Sequence, residues 1–219
     1  MLRIARCVFA FAMLAGFAST AHAETTWTVN QTGEPATIDA ASCTVAACTL
    51  RDAINSASSG DTINFATSLD GATISLTLYT NCLSTSDALS ATCLPQSSEW
   101  ATAGYVTQFG PSAFYIPRNF TLTIDAATGM THGLTIARAS GAANFRFFDV
   151  GVGATLNLSG LSLRNGHAKG GDTDLGGGAL VAGGAIFSQG SLNLIRSTLD
   201  GNIAQGGDAG RTIVNGLGG

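Results

Sequence analysis

Thr155–Asp172, TLNLSGLSLRNGHAKGGD, and Ser191–Asp208, SLNLIRSTLDGNIAQGGD, are two copies of one segment. They lie 36 residues apart, align without a gap and share 8 of 18 positions. Chance at ordinary composition gives about one identity, so the repeat is real. Leu156 and Leu158, like Leu192 and Leu194, fall on one face of a period-two strand, with Asn157 and Asn193 on the other. Asn165-Gly166 and Gly201-Asn202 then supply turn residues that tolerate positive φ. A second short strand is expected at Ala185-Ile186-Phe187, before a turn at Gln189-Gly190, and Phe120–Asp125 reads as a divergent copy of the first strand. A unit of two or three short strands is too small to bury its own apolar face. Stacked units bury it for one another, which predicts an all-β parallel β-helix, a solenoid. A β-sandwich or antiparallel barrel would show turn signals every 8–12 residues or so, but gives no reason for the repeat.

Composition agrees. Of the 219 residues, 45% are hydrophobic and only 11% charged, with 28 glycines and 4 prolines. Nineteen of those glycines lie between Gly151 and Gly219, and Lys169 is the only lysine. A disordered polar chain needs high charge and low hydrophobicity, which excludes that class. A helix-rich cytosolic enzyme would carry far more Lys and Glu on its exposed helix faces. Glycine without a three-residue period is not collagen.

Residues 1–23 read as a secretory signal. Arg3 and Arg6 precede the short apolar run Cys7–Ala18, and Ala21-His22-Ala23 is a small-x-small cleavage site. The run is shorter than the ~20 residues that span a bilayer. No other stretch is long enough, so no transmembrane helix is expected. Removing the signal leaves 8 basic against 14 acidic side chains, a net charge of −6. So acidic a chain has no electrostatic footprint for nucleic acid. Cys7 leaves with the signal, and Cys43, Cys48, Cys82 and Cys93 remain. An even count in an exported chain favours disulfides. Of the three possible connectivities, proximity favours Cys43–Cys48 and Cys82–Cys93. Zinc is disfavoured, because no histidine lies near either pair.

Residues 24–70 read as an N-terminal cap. Thr26-Trp27-Thr28-Val29 alternates like a strand, and Leu50, Ala53, Ile54 and Ala57 share one face of a helix. Thr49 and Asp52 form a capping box, with Gly60 as the expected stop. Asp61–Phe65 and Ala72–Leu76 alternate as strands and lead into the coils, expected over 71–219. Thr77–Gly110 reads as an insertion between early strands.

Cys48-Thr49-Leu50-Arg51-Asp52-Ala53, followed by Gly60-Asp61-Thr62-Ile63-Asn64-Phe65, resembles the bacterial N-terminal module named for a C-S-L-R-E-A motif. It departs by Ser to Thr and Glu to Asp. Gly183-Gly184-Ala185-Ile186 and Leu199-Asp200-Gly201-Asn202 are similar to the GGAI and FxxN signatures of polymorphic outer-membrane protein repeats, with Leu199 in place of Phe. The resemblance implies a right-handed β-helix of the pectate-lyase-like type, secreted or displayed at the outer membrane surface. It supplies no catalytic residues.

Catalytic and metal chemistry is faint. Lys169–Gly184 is glycine-rich but lacks the Lys-Ser/Thr pair of a phosphate loop. Asp172, Asp174 and Asp208 are the weak candidates for Ca²⁺ through carboxylate and carbonyl oxygens, although the spacing does not reproduce a calcium-binding repeat. An exposed loop with solubilising aspartates is the plainer reading. A polysaccharide lyase or glycoside hydrolase would need paired acids, or calcium-binding acids beside an arginine base. The acids on strand-like segments are Asp125, Asp149 and Asp200, and the arginines are Arg164 and Arg196. Arg164 aligns with Asp200 in the repeat, which predicts a surface ion pair. His132 and His167 lack a nearby nucleophile, and His167 aligns with Ile203 as at a tolerant turn. Trp100, Tyr105, Phe109, Phe114 and Tyr115 are the candidates either for a ligand-facing patch or, equally, for the hydrophobic filling beneath the insertion.

The expected function is therefore an exported structural or adhesive stalk, with no catalytic residues assigned and no cofactor beyond the weak calcium candidates. Glycans or molecules of a host or neighbouring cell surface are the expected partners. Leu217-Gly218-Gly219 reads as mid-loop where a solenoid needs a cap, so the chain is expected to be the N-terminal part of a longer protein or a truncated frame.

Overall fold

The computed structural model describes residues 23–35, 43–79, 81–83, 92–94, 111–171 and 180–208, with backbone alone at 81–83 and 92–94. The expected signal, except Ala23, lies outside them.

Strand β1 (Thr26–Val29) and helix α1 (Leu50–Ser56) come first. The first coil holds β2 (Thr62–Phe65) and β3 (Thr73–Leu76), then a hairpin of β4 (Asn81–Leu83) and β5 (Thr92–Leu94), then β6 (Ser112–Ile116). The second is β7 (Thr121–Asp125), β8 (Leu134–Arg138) and β9 (Arg146–Val150). The third is β10 (Thr155–Ser159), β11 (Leu161–Arg164), β12 (His167–Lys169) and β13 (Ile186–Ser188). The fourth is β14 (Ser191–Ile195), β15 (Thr198–Asp200) and β16 (Ile203–Gln205).

Equivalent strands stack into parallel sheets, in the orders β1-β2-β7-β10-β14, β3-β8-β11-β15, β6-β9-β13 and β12-β16. Among the described residues only the hairpin β4-β5 is antiparallel. This is the parallel β-solenoid that the repeat predicts. The 36-residue offset survives as register: Leu156 lies over Leu192 and Asn157 over Asn193. Alternation then sorts the side chains. Ile63, Ile124 and Leu158 form one buried column, which Leu194, itself exposed, continues in the fourth coil. Thr62, Thr123, Asn157 and Asn193 form a column on the opposite face. There Asn193 Nδ2 donates to Asn157 Oδ1 at 2.7 Å, and Asn157 Nδ2 donates to Thr123 Oγ1 at 3.1 Å. Such ladders satisfy side-chain amides along the stack, where a helix would place Lys and Glu on its surface.

Coil corners explain the glycines. Gly160 turns between β10 and β11 at φ +68°, and a Cβ there would lie 2.7 Å from the Ala127 nitrogen of the previous coil. Gly184 has an ordinary φ, yet a Cβ would meet the Ile203 backbone at 2.5 Å. Close approach of coils requires glycine at both. Arg196 occupies the position equivalent to Gly160 and adopts φ 49° without being glycine. The left-handed conformation costs a side-chain-bearing residue roughly 1 kcal/mol. Arg196→Gly is expected to raise unfolding stability by about that amount in a urea titration; a loss of stability would contradict the strain. Asn202 serves the next corner, between β15 and β16, by hydrogen bonding. Its Oδ1 accepts from Gly166 N–H at 2.8 Å and its Nδ2 donates to the Leu163 carbonyl at 2.9 Å, tying coil four to coil three.

The first end of the stack is closed. Thr49 caps α1 through the expected capping box with Asp52, and Leu50 and Ala53 are buried in the core. The helix stops at Ala57, three residues before Gly60, because the Ala57 backbone is extended. Gly60 instead takes the turn into β2 at φ +100°. Cys43 and Cys48 are disulfide-bonded, as expected. Cys82 and Cys93 are Cα partners across the hairpin, and their side chains lie outside the described atoms.

Two buried charged groups lock the cap. Arg51, 2% exposed, donates to Glu34 Oε1 through Nη2 at 2.6 Å and through Nε at 3.1 Å. It also donates to the carbonyls of Leu78 (2.7 Å) and Ala113 (2.8 Å), and its guanidinium lies over the Phe114 ring. Glu34 Oε2 in turn accepts from the Thr77 and Leu78 backbone. Asp61, 1% exposed, accepts from Thr25 N–H (2.8 Å), Ser58 N–H (2.8 Å) and the Trp27 indole (2.9 Å).

Candidate functional site

The acids and arginines singled out by sequence do not converge. Arg164 and Asp200 are Cα partners on adjacent coils, with Nη2 2.6 Å from Oδ2. Both side chains are 53% exposed, so this is the expected surface ion pair. Pairs of this kind contribute at most about 1 kcal/mol. Asp125 sits at the end of β7, where its carboxylate accepts from Ala127 N–H at 2.9 Å and Thr128 N–H at 3.3 Å. Burial pushes its pKa up, but hydrogen bonds from Thr128, Ala127 and Ser159 outweigh that and hold the carboxyl below its ordinary value. A carboxylate held ionised by a turn is a structural acceptor. Arg196 lies at the coil corner described above.

Asp149 is different. It lies on β9 between Tyr115 of β6 and Phe187 of β13, its Cα partners in the neighbouring coils. The carboxylate is 8% exposed, and its Oδ1 has no hydrogen-bond partner among the described residues. Burial pushes its pKa up to about 6, against the opposing pull of Arg146. Arg146, fully buried, donates through Nη1 to the Ala182 carbonyl at 2.8 Å and lies 5.4 Å from the Phe187 ring centroid. Burial lowers its pKa to about 10, so it stays charged at neutral pH. Tyr115 is raised, first by burial and then by the Asp149 charge. Sequence reasoning found Asp149 but missed Arg146. The signal was a charge inside the apolar run Phe145-Arg146-Phe147-Phe148.

The raised pKa has a consequence for stability. An acid whose folded pKa exceeds its unfolded value of about 3.9 binds more protons when folded. Its contribution is therefore full below about pH 4 and is lost as pH rises through 6, by up to about 3 kcal/mol. Asp149→Asn is expected to remove that slope. Between pH 4 and 8 the variant should gain stability relative to the native chain; a pH-independent difference in urea unfolding would contradict the assignment.

The remaining candidates are placed as follows. Asp208 pairs with Lys169 at 3.3 Å, while Asp172 and Asp174 lie outside the described residues. Among the described residues no three His, Cys, Asp or Glu side chains come together to hold a metal ion. Trp100, Tyr105 and Phe109 lie outside the described residues. Phe114 belongs to the core and not to a ligand-facing patch: it is 2% exposed and packs on Phe148 across the stack. His167 is not at a turn but in β12, its Nε2 3.2 Å from Gln205 Oε1. His132 pairs with Asp70 at 3.0 Å, and the His132 backbone and ring lower the Asp70 pKa. A groove of about 490 Å³ beside β1 is lined by Thr25, Trp27, Asn30, Cys43, Thr44 and Val45. Among the described residues no helix is long and apolar enough to cross a membrane. No family model, curated protein or solved structure matches the chain.

Proposed function

We propose that this chain is an exported or surface-displayed β-helix of the pectate-lyase-like type, related to the CSLREA-motif and polymorphic outer-membrane proteins. It acts as a structural or adhesive stalk. The observation that carries this reading is the Thr62–Thr123–Asn157–Asn193 column, whose Thr123, Asn157 and Asn193 are hydrogen-bonded coil to coil. A face whose hydroxyls and amides point outward at the ~4.8 Å strand repeat is a rigid polar surface suited to lie along a glycan or a cell surface. Its rigidity limits the ordering cost of contact. The test is to locate the chain by fractionation and then to measure its labelled, purified form on a glycan panel and on whole cells. Recovery outside the cell with saturable retention supports the stalk. Recovery in the cytosol, or no retention on any surface, overturns it.

A second reading, a polysaccharide lyase or glycoside hydrolase on the same scaffold, is favoured by one observation. Asp149 is a buried carboxylate held near neutrality beside Tyr115 and Arg146, and such a group suits general acid–base work.

A further inference from the structure

One corner of the solenoid is built from left-handed backbone. The registers of β3, β8, β11 and β15 stack Gly71, Gly133, Gly160 and Arg196 into one column, at φ 73°, 68°, 68° and 49°. Three coils fill that column with glycine, which adopts the conformation freely; the fourth fills it with arginine, which does not. Strained backbone of this kind concentrates at ligand clamps. The Arg196 side chain is exposed and makes no hydrogen bond or ion pair among the described residues. It borders a groove of about 150 Å³, with Met130, Thr131, His132 and Gly133 of coil two and Gly160 of coil three. Coil two runs residues 126–133 out at this corner, where coil three turns on Gly160 alone and has no side chain to fill the space. The acids beside the groove are engaged. Asp70 accepts from the His132 N–H at 2.8 Å and lies 3.0 Å from its ring Nδ1, and Asp125 accepts from the Ala127 and Thr128 amides. The Arg196 guanidinium is not engaged.

We propose that this corner groove is a subsite for a single oxyanion, the carboxylate or sulfate ester of a sparsely charged glycan, with Arg196 as its clamp. The proposal rests on the stalk reading above and names the chemistry that the stalk takes. A guanidinium meets a carboxylate or sulfate through two parallel N–H donors, which an ammonium cannot do. Arg196 directly follows β14, three residues after Asn193, so a glycan lying along the polar column reaches the groove at its edge. The groove has room for one charged substituent and not for a polymer. With 14 acidic side chains in the chain, and Asp70 and Asp125 beside the groove, a densely charged polyanion is repelled while one isolated oxyanion is held.

Titration of the isotope-labelled chain with glucose, glucuronate and glucose 6-sulfate reads this directly, because the three sugars differ only at one carbon. Over roughly 1–100 mM, the range of a single-sugar contact, a charged sugar should shift the amides of Thr131–Gly133, Gly160 and Arg196, and glucose should not. A response to glucuronate alone assigns the carboxylate, to glucose 6-sulfate alone the sulfate ester, and to both an oxyanion in general. Arg196→Gly should weaken binding roughly tenfold, the effect of losing one charge-assisted contact, while unfolding no more easily than the native chain. Arg164→Ala removes the same charge outside the groove and should leave binding unchanged. Equal shifts with glucose, no shifts at the corner, unchanged affinity in Arg196→Gly or equal loss in Arg164→Ala overturns the proposal. Should any of these occur while the chain is still retained on the glycan panel, the subsite fails and the stalk reading stands.

Discussion

Arg51→Ala is expected to destabilise the chain by about 3–5 kcal/mol, the cost of stripping one partner from a buried ion pair. The side chain is almost fully enclosed and makes four hydrogen bonds, two to Glu34 and one each to the carbonyls of Leu78 and Ala113. Removing it leaves the Glu34 carboxylate, whose side chain is 7% exposed, with backbone donors but no counter-charge. It also takes a charged donor from the Leu78 and Ala113 carbonyls. The damage should be local before it is global, since Thr77 and Leu78 begin the insertion and Ala113 follows it. Both ends of a long excursion are thus gathered on one guanidinium. Accelerated amide exchange at Thr77–Leu78 and Ala113, together with the drop in urea midpoint, is the predicted signature. Arg51→Lys should recover little, because an ammonium cannot reach the same forked set of acceptors. A loss below about 1 kcal/mol, the level of a surface pair, would contradict the role given to Arg51.

Asp61→Ala should cost about 3–4 kcal/mol. One carboxylate satisfies the Thr25 and Ser58 amides and the Trp27 indole, joining β1, the end of the helical cap and the start of β2. Hydrogen bonds to a charged acceptor contribute about 1.5–3 kcal/mol each, and three on one group add less than fully. Asp61→Asn keeps the shape but replaces one acceptor oxygen with a donor, so its cost should be intermediate. Release of the indole should also change Trp27 emission. Against a total stability of roughly 5–15 kcal/mol, either alanine variant removes a large fraction.

The coils were legible because the physics that builds them is periodic. Leu156, Leu158, Leu192 and Leu194 announce the stacked face, and the offset between the copies becomes strand register without loss. The capping box was legible because it is local, with Thr49 and Asp52 three residues apart. The groups that hold the cap were not. Glu34 and Arg51 are separated by 17 residues, and Arg51 meets Ala113 across 62, so nothing in their neighbourhood marks them. Asp61 stood inside a resemblance motif, but its role depends on Thr25 and Trp27 being brought over it by strand pairing. The same limit separates Arg164 from Asp149. The repeat aligned Arg164 with Asp200 and gave their contact, whereas the environment of Asp149 depends on burial that alternation does not report. The helix end shows a smaller failure of local rules, in that an extended Ala57 stopped the helix before the glycine.

The central claim is that the solenoid is a binding scaffold and not a catalyst, and depolymerisation tests it most directly. The purified chain would be incubated with a panel of neutral and acidic polysaccharides, with and without Ca²⁺, and assayed for unsaturated and reducing ends. The account predicts retention of a glycan with no release of either, unchanged by Asp149→Asn. Release of ends that Asp149→Asn abolishes would contradict it and install the buried carboxylate as an acid–base catalyst.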